Sequence, residues 1–171
     1  VFYCATEVLA DSRATAEGAE ACESALASVS AETGIPLPLF RAIALAESGR
    51  RVQDGQTRPW PWSVNVEGHT RFFPSQDAMR AYVRSLLGQG ITRFDVGCMQ
   101  VHWHWHRTKV SSGERLLDPA DNVRMAALLL LGHYKRTRSW AEAAGAYHSR
   151  NPEPMRRYLR RLHSFLEKDQ G

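Results

Sequence analysis

No stretch of these 171 residues is apolar for the roughly 20 residues that a bilayer span needs; Met125 to Leu131 is only a helical segment. No basic run leading into an apolar one opens the chain, so any signal peptide is already gone or never existed. Cysteine is scarce. Cys4, Cys22 and Cys98 are too few for a disulfide-scaffolded miniprotein, and they allow one bridge and one odd thiol. Cys22 and Cys98 sit in segments that should pack, which makes them the expected pair and Cys4 the odd one. Free buried cysteines remain the alternative. Such a bridge would imply an oxidising compartment. Internal repeats and low-complexity linkers are missing too. Neither sign of charge dominates: the net charge is +4, and 43% hydrophobic with 23% charged residues excludes a disordered chain. We expect residues 1–14 to be a loose leader and residues 15–171 a single domain.

The mild basic excess gathers late, at Arg136, Arg138, Arg150, Arg156, Arg157, Arg160 and Arg161. It suits a polyanionic partner, either nucleic acid or a wall polymer carrying carboxylates. A solvated helix face explains the pairs Arg156-Arg157 and Arg160-Arg161 equally simply. No recognition-helix or aromatic-basic motif supports nucleic acid.

Punctuation residues divide the rest. Ala19, Cys22, Leu26 and Val29 make a helical stripe ended by Gly34, and Pro36 and Pro38 open the next helix. Residues 50–61 read as a loop. A hairpin follows, Trp62 to Val66 and His69 to Phe73, turning at Glu67-Gly68. Ser75 caps a helix with Ala78, Met79, Tyr82, Val83, Leu86 and Leu87 on its expected apolar face. Thr92 to Val96 suggests a third strand. Asp118-Pro119 starts a helix expected to be the central buried one, Ser139 caps a short helix to about Tyr147, and Tyr158, Leu159, Leu162, Phe165 and Leu166 lie on the apolar face of the last. The class is mainly α (α+β), helical with a small antiparallel sheet.

Glu47 stands out. Leu39, Phe40, Ile43 and Ala44 share one helix face and Glu47 is the next position on that stripe, with Gly49 as an expected left-handed stop. A half-buried carboxyl keeps its proton near neutral pH, which suits a general acid.

Three distant segments go with it: Glu47-Ser48, Asp95-Val96-Gly97-Cys98-Met99-Gln100-Val101, and Ala146-Tyr147-His148-Ser149. Together they resemble the soluble lytic transglycosylase (SLT) family of the lysozyme-like superfamily, with its E-S pair, G-L-M-Q segment and A-Y-N segment. Asp118-Pro119-Ala120-Asp121-Asn122 is similar to the D-P-x-x-N that opens the family's core helix. The likeness runs over residues 20–166, and is greatest to members found with bacterial secretion and flagellar systems. Gly49-Arg50, Cys98 and His148 depart from the usual pattern.

The resemblance implies a periplasmic enzyme acting on peptidoglycan glycan strands, with no cofactor and no metal. It would cleave the MurNAc-GlcNAc β-1,4 bond without water and leave 1,6-anhydromuramoyl ends. Glu47 would be its single general acid and base. Ser48, Asn65, Met99, Gln100, Tyr147 and His148 are the implied substrate-side residues, and Tyr147 would orient Glu47. Structural roles compete: Ser48 as a cap, Met99 and Tyr147 as core, Gln100 as a buried amide. Two other functions stay open, a hydrolytic muramidase pairing Glu47 with Asp95 or Glu67, and a non-catalytic glycan-binding module. His102, His104 and His106 would share one face only if that segment were a strand, the arrangement a zinc site would need.

Overall fold

The computed structural model describes residues 5–52, 54–110 and 112–168, with backbone alone for 5–16 and 19. Helix α1, Ala5–Thr33, begins well before Thr15, so the expected leader is helical from Ala5 onward. Cys4 and the side chain of Ala19 lie outside the described residues. Cys22, Leu26 and Val29 are buried, and Gly34 ends the helix at φ +74°, a conformation that costs glycine little.

Helix α2, Leu37–Ser48, has Pro36 at its N-cap and a further proline in its first turn, where a missing N–H leaves nothing unsatisfied. It buries Phe40 and every residue from Ala42 to Ala46. It is therefore α2, and not the helix after Asp118, that is enclosed on nearly all sides. Three alanines, at 42, 44 and 46, let α1, α7 and the first strands approach it closely. The expected left-handed stop is also corrected. Gly49 has φ −56°, and glycine is required there because a Cβ would run into the Leu45 carbonyl.

Residues 50–61 are not all loop. Strand β1, Gly49–Arg51, pairs antiparallel with β2, Thr57–Pro59. Neither strand shows the apolar alternation that would announce it. The main sheet has the order β4-β3-β5-β6 and is antiparallel throughout. Its strands are β3, Ser63–Val66; β4, His69–Phe72; β5, Asp95–Val96; and β6, Val101–His102. The expected hairpin forms, with Glu67 at φ 52° and Gly68 at φ 84°, as a turn matched to strand twist demands. The expected third strand narrows to β5.

Local capping sets the remaining helices. Ser75 Oγ accepts from Ala78 N at the start of α3, Gln76–Gly88. After the short α4, Trp103–His106, and a 3-10 turn, Gly113–Leu117, Asp118 accepts from Ala120 N and Asp121 N to open α5, Pro119–Thr137. Ser139 caps α6, Trp140–His148. Helix α7, Pro152–Lys168, buries Tyr158 and Leu162 and turns its arginines to solvent. The result is a mainly α fold of lysozyme-like type with small antiparallel sheets beside α2. A disulfide joins Cys22 of α1 to Cys98 in the turn between β5 and β6, with Cα atoms 5.8 Å apart.

Candidate active site

The end of α2 meets the sheet through one side chain. Ser48 is 1% exposed; its Oγ donates to the Cys98 carbonyl at 2.7 Å and accepts from Trp60 N at 3.1 Å. Ser48 therefore fastens α2 to the β5–β6 turn and cannot touch a sugar. Asn122 fixes the same turn from the first turn of α5. Its Nδ2 donates to Val96 O and Leu116 O, and its Oδ1 accepts from Met99 N. Gly97, at φ +81°, leaves room for that amide where a Cβ would strike it. Met99 is fully buried and packs in the core, so it too is withdrawn as a substrate contact.

These attachments hold the wall of a cleft of about 580 Å³. Glu47, Asn65, Asp95, Gln100, Tyr147 and His148 all line it, drawn from α2, β3, β5, the β5–β6 turn and α6. Gln100 adopts φ 46°, an unusual conformation for a residue with a side chain, and is secured by Nε2 bonds to Ser63 Oγ at 2.9 Å and Gly97 O at 3.0 Å. Asn65 bonds within the hairpin, donating to Thr70 Oγ1 and accepting from Gly68 N. Glu67 is exposed at the hairpin tip and does not line the cleft, which removes it as a second carboxylate.

The Glu47 side chain is 16% exposed. Burial pushes its carboxyl up from 4.5 to about 7; the Tyr158 hydrogen bond and Arg161 oppose that rise, and the charge of Asp95 adds to it. Tyr158 Oη donates to Glu47 Oε1 at 2.7 Å. His148 Nδ1 lies 3.9 Å from the same oxygen, and the His148 ring stacks on that of Tyr158 with centroids 4.3 Å apart. Burial, then Arg161 and Arg157, lower the His148 pKa, so the imidazole is neutral beside the acid.

Tyr147 is not the orienting hydroxyl. It lines the cleft but donates to the Met99 carbonyl at 2.8 Å, bracing the turn. Sequence reasoning missed Tyr158, which occupies a place on an apolar stripe. Its one signal is a polar tip on a stripe otherwise made of leucine and phenylalanine.

A comparison with protein-family models matches residues 25–163 to the transglycosylase SLT domain. The chain belongs to that family. Comparison with curated proteins and with solved structures gave no match. The match runs from the last third of α1 through most of α7, so both the Glu47 and the Tyr158 side of the cleft lie within it.

Of the remaining residues on the SLT cleft, Asp95, His102 and His106 were singled out in the sequence and His133 was not. Asp95, in register with Asn65 on β3 and His102 on β6, is pushed by burial to about 6. His102, His106 and His133 also line the cleft. His102 ends a strand and His106 lies on the helical turn after it, so His102, His104 and His106 do not share a strand face. His104 is instead 3.0 Å from Thr92 Oγ1. No group of three metal-ligating residues is assembled among the described residues.

Proposed function

We propose that this SLT domain is a peptidoglycan lytic transglycosylase in which Glu47 alone serves as acid and base. The family implies glycan cleavage in peptidoglycan. The observation that carries the finer reading is a buried carboxyl facing a cleft, poised at about 7 and held by one tyrosine hydroxyl. A group titrating near the working pH can give a proton and then take one back.

The steps follow from that balance. Protonated Glu47 gives its proton to the bridging O4 as the MurNAc C1–O4 bond breaks, and the GlcNAc end leaves with a 4-hydroxyl. C1 develops oxocarbenium character. The Glu47 carboxylate, steadied by Tyr158 Oη, takes the proton of the muramoyl 6-hydroxyl. O6 then bonds to C1 and closes the 1,6-anhydro ring, so no water is consumed. Gln100, Asn65 and His148 are the side chains placed to hold the sugars. The Cys22–Cys98 bridge supports an exported, periplasmic setting, and a secretion or flagellar assembly is the partner that the motif variant favours.

Asp95 supports a second reading. It is the other carboxyl in the cleft and could direct a water to C1, which would make the enzyme a muramidase. Mass spectrometry of digested peptidoglycan separates the readings. Anhydro ends that disappear with Glu47→Gln are expected. Reducing ends would mean hydrolysis, and an unchanged polymer would mean a binding module.

A further inference from the structure

The two oxygens of Glu47 have different surroundings. Tyr158 Oη donates to Oε1 at 2.7 Å. The oxygen that accepts is the bare one, so in the acid form the proton sits on Oε2. A nitrogen also faces Oε1: His148 Nδ1, at 3.9 Å, which is too long for a hydrogen bond. A bare Nδ1 would set one lone pair against another, so the tautomer that suits this face carries Nδ1–H and leaves Nε2 bare. His148 ends α6, and its ring lies flat on that of Tyr158, with centroids 4.3 Å apart and planes at 0°. Its side chain is 43% exposed, so the ring has room to slide across the tyrosine face.

That spacing matters once the proton leaves. The carbonyl oxygen of a neutral acid is served by one good donor. A carboxylate oxygen takes more, and N–H donors close on it to about 2.7–2.9 Å. A slide of about 1 Å in the plane of the stack brings Nδ1–H onto Oε1. The charged and titratable groups around the pair are Asp95 on β5, Tyr147 on α6, and Tyr158, Arg157 and Arg161 on α7. Burial holds both tyrosine hydroxyls well above their ordinary range, so they keep their protons, and the arginines keep their charge. Asp95 titrates at about 6, and a substitution at His148 leaves it in place.

We propose that His148 is a positioning residue for Glu47: its Nδ1–H stands off the neutral acid and closes on Oε1 as the carboxylate forms, steadying the base that takes the 6-hydroxyl proton. Within the transglycosylase reading, on which this rests, the proton given to O4 and the proton taken from O6 both pass through Glu47. His148 ends each turnover with the Nδ1 proton it began with, and Nε2 is left to accept from a sugar hydroxyl.

Two substitutions test this. Phenylalanine keeps a ring on Tyr158 and deletes both nitrogens, whereas asparagine sets an amide N–H about where Nδ1 lies and deletes Nε2. His148→Phe should lower kcat about tenfold and move the alkaline limb of the kcat/KM profile up by about one pH unit, because the carboxylate has lost a donor. His148→Asn should recover most of that kcat and return the limb to its wild-type place, while KM stays raised for want of Nε2. A His148→Phe enzyme with a raised KM and an unmoved limb would overturn the contact and leave His148 a sugar ligand only. An asparagine variant no better than phenylalanine would overturn it too. Should the wild type cleave no peptidoglycan, the transglycosylase reading fails by itself. Carbon-13 NMR of the Glu47 carboxyl then decides. A titration midpoint about one pH unit higher in His148→Phe and restored in His148→Asn supports the contact, and equal midpoints overturn it.

Discussion

Holding a carboxyl ready to act as an acid costs stability, and the cost depends on pH. Unfolded, Glu47 ionises near 4.5; folded, at about 7. Between those values the native state holds a proton that the unfolded chain has lost, so stability falls as pH rises through that window. At 1.36 kcal/mol per unit the loss reaches about 3 kcal/mol above pH 7. Glu47→Gln removes the ionisation and keeps the shape, with Tyr158 Oη still able to donate to the amide oxygen. The new NH₂ group needs a partner and takes back about 1–2 kcal/mol if it finds none. The net gain at pH 8.5 should be about 1–3 kcal/mol, a Tm rise of roughly 3–10 °C for a domain of this size. At pH 4.5 the gain should vanish. Thermal melts of both proteins across pH 4 to 9 measure this directly. A Tm difference that does not grow between pH 4.5 and 7, or an inactive variant less stable at pH 8.5, would refute the reasoning.

Three other outcomes follow from the same contacts. Tyr158→Phe should lower kcat roughly tenfold or more, since a hydrogen bond to a charged group is worth about 1.5–3 kcal/mol, and should move the alkaline limb of the pH–rate profile upward. An unchanged profile would leave Tyr158 as packing only. Asp95→Asn should move the same limb downward, because the Asp95 charge helps hold the proton on Glu47; a move in the other direction would remove that coupling. Reducing Cys22–Cys98, 76 residues apart in sequence, should cost about 4 kcal/mol in the chain-entropy account and lower Tm by roughly 8–16 °C. Free thiols in a protein melting at its original temperature would contradict it.

What the sequence disclosed was local, and what it withheld was mostly long-range. Ser75, Asp118 and Ser139 cap helices with hydroxyl or carboxylate oxygens that reach two or three residues ahead, so they were legible. Glu47 was legible because a carboxyl on an apolar stripe is anomalous. Ser48 was not, because its partners are Cys98 and Trp60, which no spacing rule connects to it. Tyr147 and Tyr158 illustrate the same limit. Each is a tyrosine on a helix near the cleft, and only the folded arrangement sends one hydroxyl to Met99 and the other to Glu47. His102 and His106 were noticed, but not how they face the cleft, because the chain changes from strand to helix between His102 and Trp103.

The contact between Glu47 and Tyr158 crosses 111 positions of the chain. Glu47 lies inside the covalent ring closed by Cys22 and Cys98, while Tyr158 lies outside it on the last helix. Synthesis runs from the ring outward, so the ring and its carboxyl are made well before their hydroxyl partner emerges. Until α7 docks, the acid has neither its orienting bond nor the wall that helps exclude water. The molecule thus completes its reactive centre with the last of these elements to be made, and a nick between α6 and α7 would disarm it while leaving the ring closed.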